Sequence, residues 1–183
     1  MTSEVTAAMR LLTAILLVLF AQGCHARQQM YDAEVRDADG RPCFSVDSQD
    51  FGESEKVRLA AIEVSEVTEL GAVTSTSWLA VFVDSAPALS VTTSTCIVYG
   101  KPGVEYQGEE AKPLEPGVRY ALGMNAHVWR KERWQNRRFQ AYFCIAGDRS
   151  IGPRVRQVEW DEPGGRWRWD VCTPADARPR SAP

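Results

Sequence analysis

The sequence predicts an all-β fold, and three observations predict it. Helical periodicity is weak everywhere past the amino-terminal apolar run, whereas short runs that are apolar, or that alternate apolar with polar, recur down the chain. Between those runs lie DADG, SQDFGES, SAPALS, GKPG and EPGG, all rich in residues that turn a chain. Of five cysteines, Cys43, Cys96, Cys144 and Cys172 are spread through the body with no C-x-x-C among them, so disulfides are expected, and neither a zinc site nor a thioredoxin-like motif.

The first element is a leader. Arg10 precedes LLTAILLVLF, ten apolar or small residues at 11–20. A membrane-spanning helix needs roughly twenty, so the run reads as the h-region of a secretory signal over residues 1–23. Met9 is an alternative start that gives a more compact leader. The next stretch, Ala21-Gln22-Gly23-Cys24, resembles a bacterial lipobox, which implies lipid attachment at Cys24 and a short tether over residues 24–30. In lipoproteins, Asp directly after that cysteine favours inner-membrane retention. His25 stands there instead, so the resemblance implies a periplasmic location at the outer membrane of a Gram-negative bacterium. Acyl chains anchor a protein without spanning.

Setting Cys24 aside leaves an even set of four, with three possible connectivities. Strand parity favours Cys43–Cys144, because each sits opposite apolar neighbours (Phe44 and Val46; Phe143 and Ile145). Cys96–Cys172 is then left.

The body follows as strands at residues 31–36, 42–46, 57–64, 77–83, 95–99, 118–129, 137–145, 154–160 and 166–172. In the sixth, Val118, Tyr120, Leu122, Met124, Ala126 and Val128 share one face, as a half-buried strand requires. WLAVFV (78–83) is apolar on both faces and reads as a central strand covered on both sides, with Trp78 in the core. The lead-in LEPGVRYAL (114–122) resembles the tyrosine corner of immunoglobulin-like sandwiches, in which a tyrosine hydroxyl bonds backbone a few residues upstream. An immunoglobulin- or fibronectin type III-like β-sandwich over residues 31–147 is therefore expected, with Tyr120 as its structural corner and a small closed barrel as the rival. Residues 148–172 read as an added carboxy-terminal hairpin turning at Pro163-Gly164-Gly165, with Trp160, Trp167 and Trp169 as a satellite cluster stapled by Cys172. Residues 173–183 have too little apolar content to order themselves and are expected to be a disordered tail.

Charge excludes one class and suggests another. The formal net charge is −3, no footprint for nucleic acid. It is unevenly spread: residues 31–70 hold eleven Asp and Glu against four Lys and Arg, and residues 130–138 hold five Lys and Arg against one Glu. Such a dipolar surface steers charged partners. WRKERWQNRR (129–138) is the candidate binding loop, joining two strands near the corner. Trp129 and Trp134 offer rigid contact area, and Arg130, Arg133, Arg137 and Arg138 offer bidentate bonds to carboxylates. The plain alternative is a polar hairpin whose tryptophans fold back onto the sheet. The acidic stretch DSQDFGESE (47–55) is a second candidate surface.

Catalysis is not expected. There are two histidines, His25 beside the anchor and His127 on the polar face of a strand, and no G-x-S-x-G elbow. No metal or cofactor site is legible. A two-carboxylate hydrolase leaves no local motif and is the enzymatic alternative.

The leader, then PCFSV (42–46), STCIVYG (94–100), LEPGVRYAL (114–122) and RRFQAYFC (137–144), resembles in that order the type VI secretion immunity periplasmic lipoproteins. The resemblance covers roughly residues 24–145 and leaves Cys172 outside. It implies a small disulfide-bonded β domain, lipid-anchored in the periplasm, whose partner is an effector toxin that it binds and neutralises. The alternative role is a structural or assembly lipoprotein that scaffolds another outer-membrane component.

Overall fold

The computed structural model describes residues 30–47, 56–82, 89–148 and 152–173. The leader, Cys24, His25 and the tether up to Gln29, residues 48–55 of the acidic stretch, and the tail past Thr173 lie outside the described residues.

The described residues are mostly β strand, with one short 3-10 turn among them. The strands are β1 (Met30–Ala38), β2 (Arg41–Val46), β3 (Lys56–Val67), β4 (Val73–Val81), β5 (Ser90–Val91), β6 (Ile97–Val98), β7 (Gln107–Gly108), β8 (Arg119–Arg130), β9 (Arg133–Asp148), β10 (Gly152–Val158), β11 (Trp160–Asp161) and β12 (Arg166–Trp167). The turn is Trp169–Cys172. Hydrogen bonding runs without a break in the order β6-β2-β1-β9-β8-β3-β4-β7, with β10 added to β9 and β5 to β3.

The sheet curls because β9 has two successive partners on one edge. β1 pairs with it in parallel through three positions, Met30↔Arg138 to Asp32↔Gln140. Farther along, β10 pairs antiparallel, Val158↔Tyr142 to Gly152↔Asp148. β1 then leaves β9 and carries β2 and β6 over the sheet's inner face. Phe44 of β2 accordingly meets Trp78 of β4 (ring centroids 6.5 Å) and Phe143 of β9 (5.9 Å) across the core.

The core collects the inward side chains of each strand. Tyr120, Leu122, Met124, Ala126 and Val128 are buried along β8, and Asn125 and His127 are exposed, as alternation dictates. β3 does not alternate cleanly. Val57 and Leu59 are buried, then Ile62 and Val64, because a bulge between Leu59 and Ala61 inserts one residue and resets which face points inward.

Asp37 ties β1 to β10. Its carboxylate accepts from the Gly40 amide (2.8 Å), closing the Asp39–Gly40 turn, and from the Val155 amide of β10 (2.7 Å). Burial pushes its pKa up. The two amides, with Arg154 and Arg156, outweigh that and hold it below the ordinary carboxylate value.

Three expectations need correction. WLAVFV is not a central strand covered on both faces. β4 lies one strand from the end of the path, beside two-residue β7, and Leu79 and Val81 point to an open face. Residues 154–160 do not form a hairpin with 166–172. β10 joins the main sheet along β9, and only β11 and β12 form the small hairpin, Trp160↔Trp167. The disulfides are Cys43–Cys96 and Cys144–Cys172, with Cα–Cα distances of 5.2 and 5.7 Å, not Cys43–Cys144 and Cys96–Cys172. The parity argument placed Cys43 and Cys144 both on sides away from the core. They lie in strands facing each other across that core, so their side chains diverge. Cys43 instead meets the residue leading into β6, whose Ile97 pairs Phe44. Cys144 meets the 3-10 turn.

Candidate functional site

β8 and β9 form one long hairpin whose twelve cross-strand pairs end at Arg130↔Arg133. The turn is Lys131-Glu132, with φ of 51° and 60°. Positive φ at both central residues matches the twist of the flanking strands, although Asn-Gly holds it with less strain. WRKERWQNRR is therefore not a loop near the corner. It is the tip of a hairpin, and Tyr120 stands nine residues back along β8, about 30 Å away at ~3.3 Å per residue.

At that other end the Tyr120 hydroxyl accepts from the Glu115 amide (2.8 Å). Burial raises its pKa, the amide bond lowers it, and the nearby Glu66 and Glu115 charges raise it; the net shift is upward. Tyr99 is also shifted upward, first by burial. Its hydroxyl donates to the carbonyls of Ser77 (3.1 Å) and Lys112 (2.9 Å), joining the β6 side of the curl to β4.

Strand parity divides the six candidate residues into two groups. Trp129, Trp134 and Arg138 share the outer face of the sheet with His127 and Asn136. Arg130, Arg133 and Arg137 have the opposite parity and line the tip on the core side. Arg137 lies over the Tyr31 ring (5.3 Å to the centroid) and hydrogen-bonds Gln135.

The outer group is an organised surface. Trp129 and Trp134 pair across the strands edge to face, with centroids 5.3 Å apart. They are 40% and 38% exposed, so neither folds back into a core. Arg58 of β3 pairs with His127 and sets its guanidinium 4.5 Å from the Trp134 ring centroid. His127 Nδ1 is 2.7 Å from Asn136 Oδ1. Arg138 reaches across Gly123, where its guanidinium lies 3.8 Å from the place a Cβ would occupy. Met30, opposite Arg138, extends the face as an exposed apolar edge. The sequence did not single out Arg58. Only the β3–β8 register places it here, and no local pattern encodes that register.

The other half of the same outer face is covered. Tyr142, Cys144, Val67 and Val158 pack beneath Trp169 and Cys172. Trp169 meets Tyr142 edge to face at 5.8 Å, donates its indole N–H to the Glu69 carbonyl (3.1 Å), and carries Arg119 over its ring at 5.5 Å. Trp160 stays exposed on the small hairpin, 5.2 Å from Trp167.

Open clefts lie elsewhere among the described residues. One, of about 400 Å³, lies at the end away from the hairpin tip, between Arg41, Tyr99, Lys101, Lys112, Leu114 and Pro153. Another, of about 440 Å³, is polar and sits beside Glu69, Arg119, Asp161 and Arg168. Among the described residues no group of three or more His, Cys, Asp and Glu converges to hold a metal ion. None of the described helices is long and apolar enough to cross a membrane.

No family model, curated protein or solved structure matches the chain.

Proposed function

We propose that the protein is a periplasmic, lipid-anchored binding protein that neutralises a type VI secretion effector by covering its working surface. The observation that carries the reading is the outward Trp129–Trp134 pair with Arg58 and Arg138 beside it. Rigid aromatics and guanidiniums held on strands lose little entropy on docking and match acidic, partly apolar surfaces. Two disulfides suit export to an oxidising compartment. The leader and the ordered motifs supply the anchoring and the immunity role, through resemblance. An immunoglobulin-like sandwich is part of the same proposal, supported by the Tyr120–Glu115 bond. On this reading the protein acts by occlusion and turns nothing over.

The test is competition between sibling cells. A strain lacking the protein is expected to grow normally alone and to die beside siblings that fire the secretion system. Restoring the wild-type chain rescues it, and Trp134→Ala with Arg138→Ala does not, at equal protein level. An envelope defect in monoculture would instead establish the scaffold role.

A further inference from the structure

The tip of the β8–β9 hairpin offers a second surface, distinct from the outer face. Arg130, Lys131 and Arg133 are exposed around the turn, Arg137 lies just behind them, and Glu132 is the anion within the turn itself. Lys131 keeps a left-handed conformation that costs a non-glycine residue energy, so the turn holds charge where Asn-Gly would be more stable.

Where β1 begins decides what this tip faces. β1 runs parallel to β9 and starts with Met30 beside Arg138, so the amino end of β1 points toward Arg133 and the tip. From Arg138 to Arg133 is five residues, about 17 Å of strand. From Cys24 to Met30 is six residues, which span at most about 20 Å fully extended. In the reverse orientation, the body would stand on the Asp148 end of β9. Arg138 lies ten residues from that end, which would raise Met30 about 33 Å above the surface, beyond the tether's reach. An anchor at Cys24 thus admits orientations that bring the tip to the lipid and excludes the upside-down one.

We propose that Arg130, Lys131, Arg133 and Arg137 seat the hairpin tip on anionic phospholipid headgroups beside the anchor. The Trp129–Trp134 face then looks sideways, toward partners. The proposal rests on lipid attachment at Cys24. Among the described residues of the hairpin tip, 130–133 and 137 carry four cations against one anion, which matches a phosphodiester surface, and each cation near an anionic bilayer strengthens partitioning about fivefold.

The experiment uses the chain from residue 24 with Cys24→Ser, which contains every described residue, and sedimentation with vesicles of phosphatidylethanolamine and phosphatidylglycerol. Binding is expected at low salt, to fall as salt rises, and to be absent on phosphatidylcholine vesicles. Arg130→Glu with Lys131→Glu and Arg133→Glu is expected to weaken it by about a hundredfold or more, with unchanged near-ultraviolet circular dichroism. Indifference to phosphatidylglycerol overturns the proposal. So does a charge-reversed variant that still binds vesicles but fails to protect cells in the sibling assay, since the tip would then belong to a protein partner. Labelled palmitate incorporated at Cys24 tests the anchor separately. Its absence overturns the anchoring reading and the proposal with it, whereas labelling without vesicle binding overturns the tip alone.

Discussion

Trp134 and Tyr142 lie on the same face of the same strand, eight residues apart, yet Trp134 is 38% exposed and Tyr142 only 9%. Both halves of this outer face are built from β3, β8 and β9, so the sheet itself does not distinguish them. What differs is the cover. Over Tyr142 and Cys144 the carboxy-terminal turn brings Trp169 and Cys172, and nothing among the described residues does the same for Trp129 and Trp134. The covered half puts its aromatics into stability. The open half leaves its aromatics available for an occupant.

The largest effect is expected from uncovering the covered half. Cys144→Ser with Cys172→Ser opens a loop of 28 residues, and the chain-entropy relation assigns that closure about 3.5 kcal/mol. Urea unfolding should lose that amount, with a red shift in tryptophan emission as Trp169 meets water. Next, Trp169→Ala removes the lid side chain and its bond to Glu69, for a loss of about 3 kcal/mol. A loss under about 1 kcal/mol would show that the cover is not part of the cooperative unit.

Asp37 is expected to contribute less. It holds β10, the strand that brings Val158 to the covered half. Asp37→Ala should cost about 2 kcal/mol at neutral pH, since two amides lose a charged acceptor. Its folded pKa is depressed, so its contribution is fully present above the unfolded value, about 3.9, and is lost as pH falls through the lower folded value. Wild-type stability should therefore fall in that acid window, and Asp37→Asn should flatten the drop. The smallest change is expected in the open half. Trp129→Ala and Trp134→Ala should each alter stability by under about 1 kcal/mol, while the sibling assay loses protection. A stability loss comparable to that of Trp169→Ala would make this half core rather than contact surface.

Elements with strong local signals were legible in the sequence. β8 alternates over its whole length, Pro163-Gly164-Gly165 marks the small turn between β11 and β12, and Tyr120 meets backbone just upstream, as its lead-in suggested. The amino end of β9 was harder to see. WQNRR has Trp134 as its single apolar residue, with Asn136 and Arg138 beside it on the outer face and Gln135 and Arg137 on the other, so no alternation marks it and the sequence pattern starts the strand at Arg137 rather than Arg133. Non-local facts were not legible. The parallel β1–β9 pairing, the bulge in β3 and the position of Arg58 depend on register. The disulfide map depends on which layer each strand joins. Of the candidate residues, the pair Trp129 and Trp134 emerged from composition alone, whereas the division of the arginines between face and tip required knowing where each strand starts.

The two bridges join cysteines that are successive along the body, 43 with 96 and 144 with 172. A chain threaded amino end first into an oxidising compartment presents these thiols in that order. Linking each with the next to arrive yields the native map, with no crossed or nested pair to be reshuffled by exchange. Acylation of Cys24 would complete this arrangement by removing the only earlier thiol from competition. If the chain is exported as proposed, the direction of transport would serve as the pairing instruction, and the first loop would be able to close before the residues of the second had left the membrane channel.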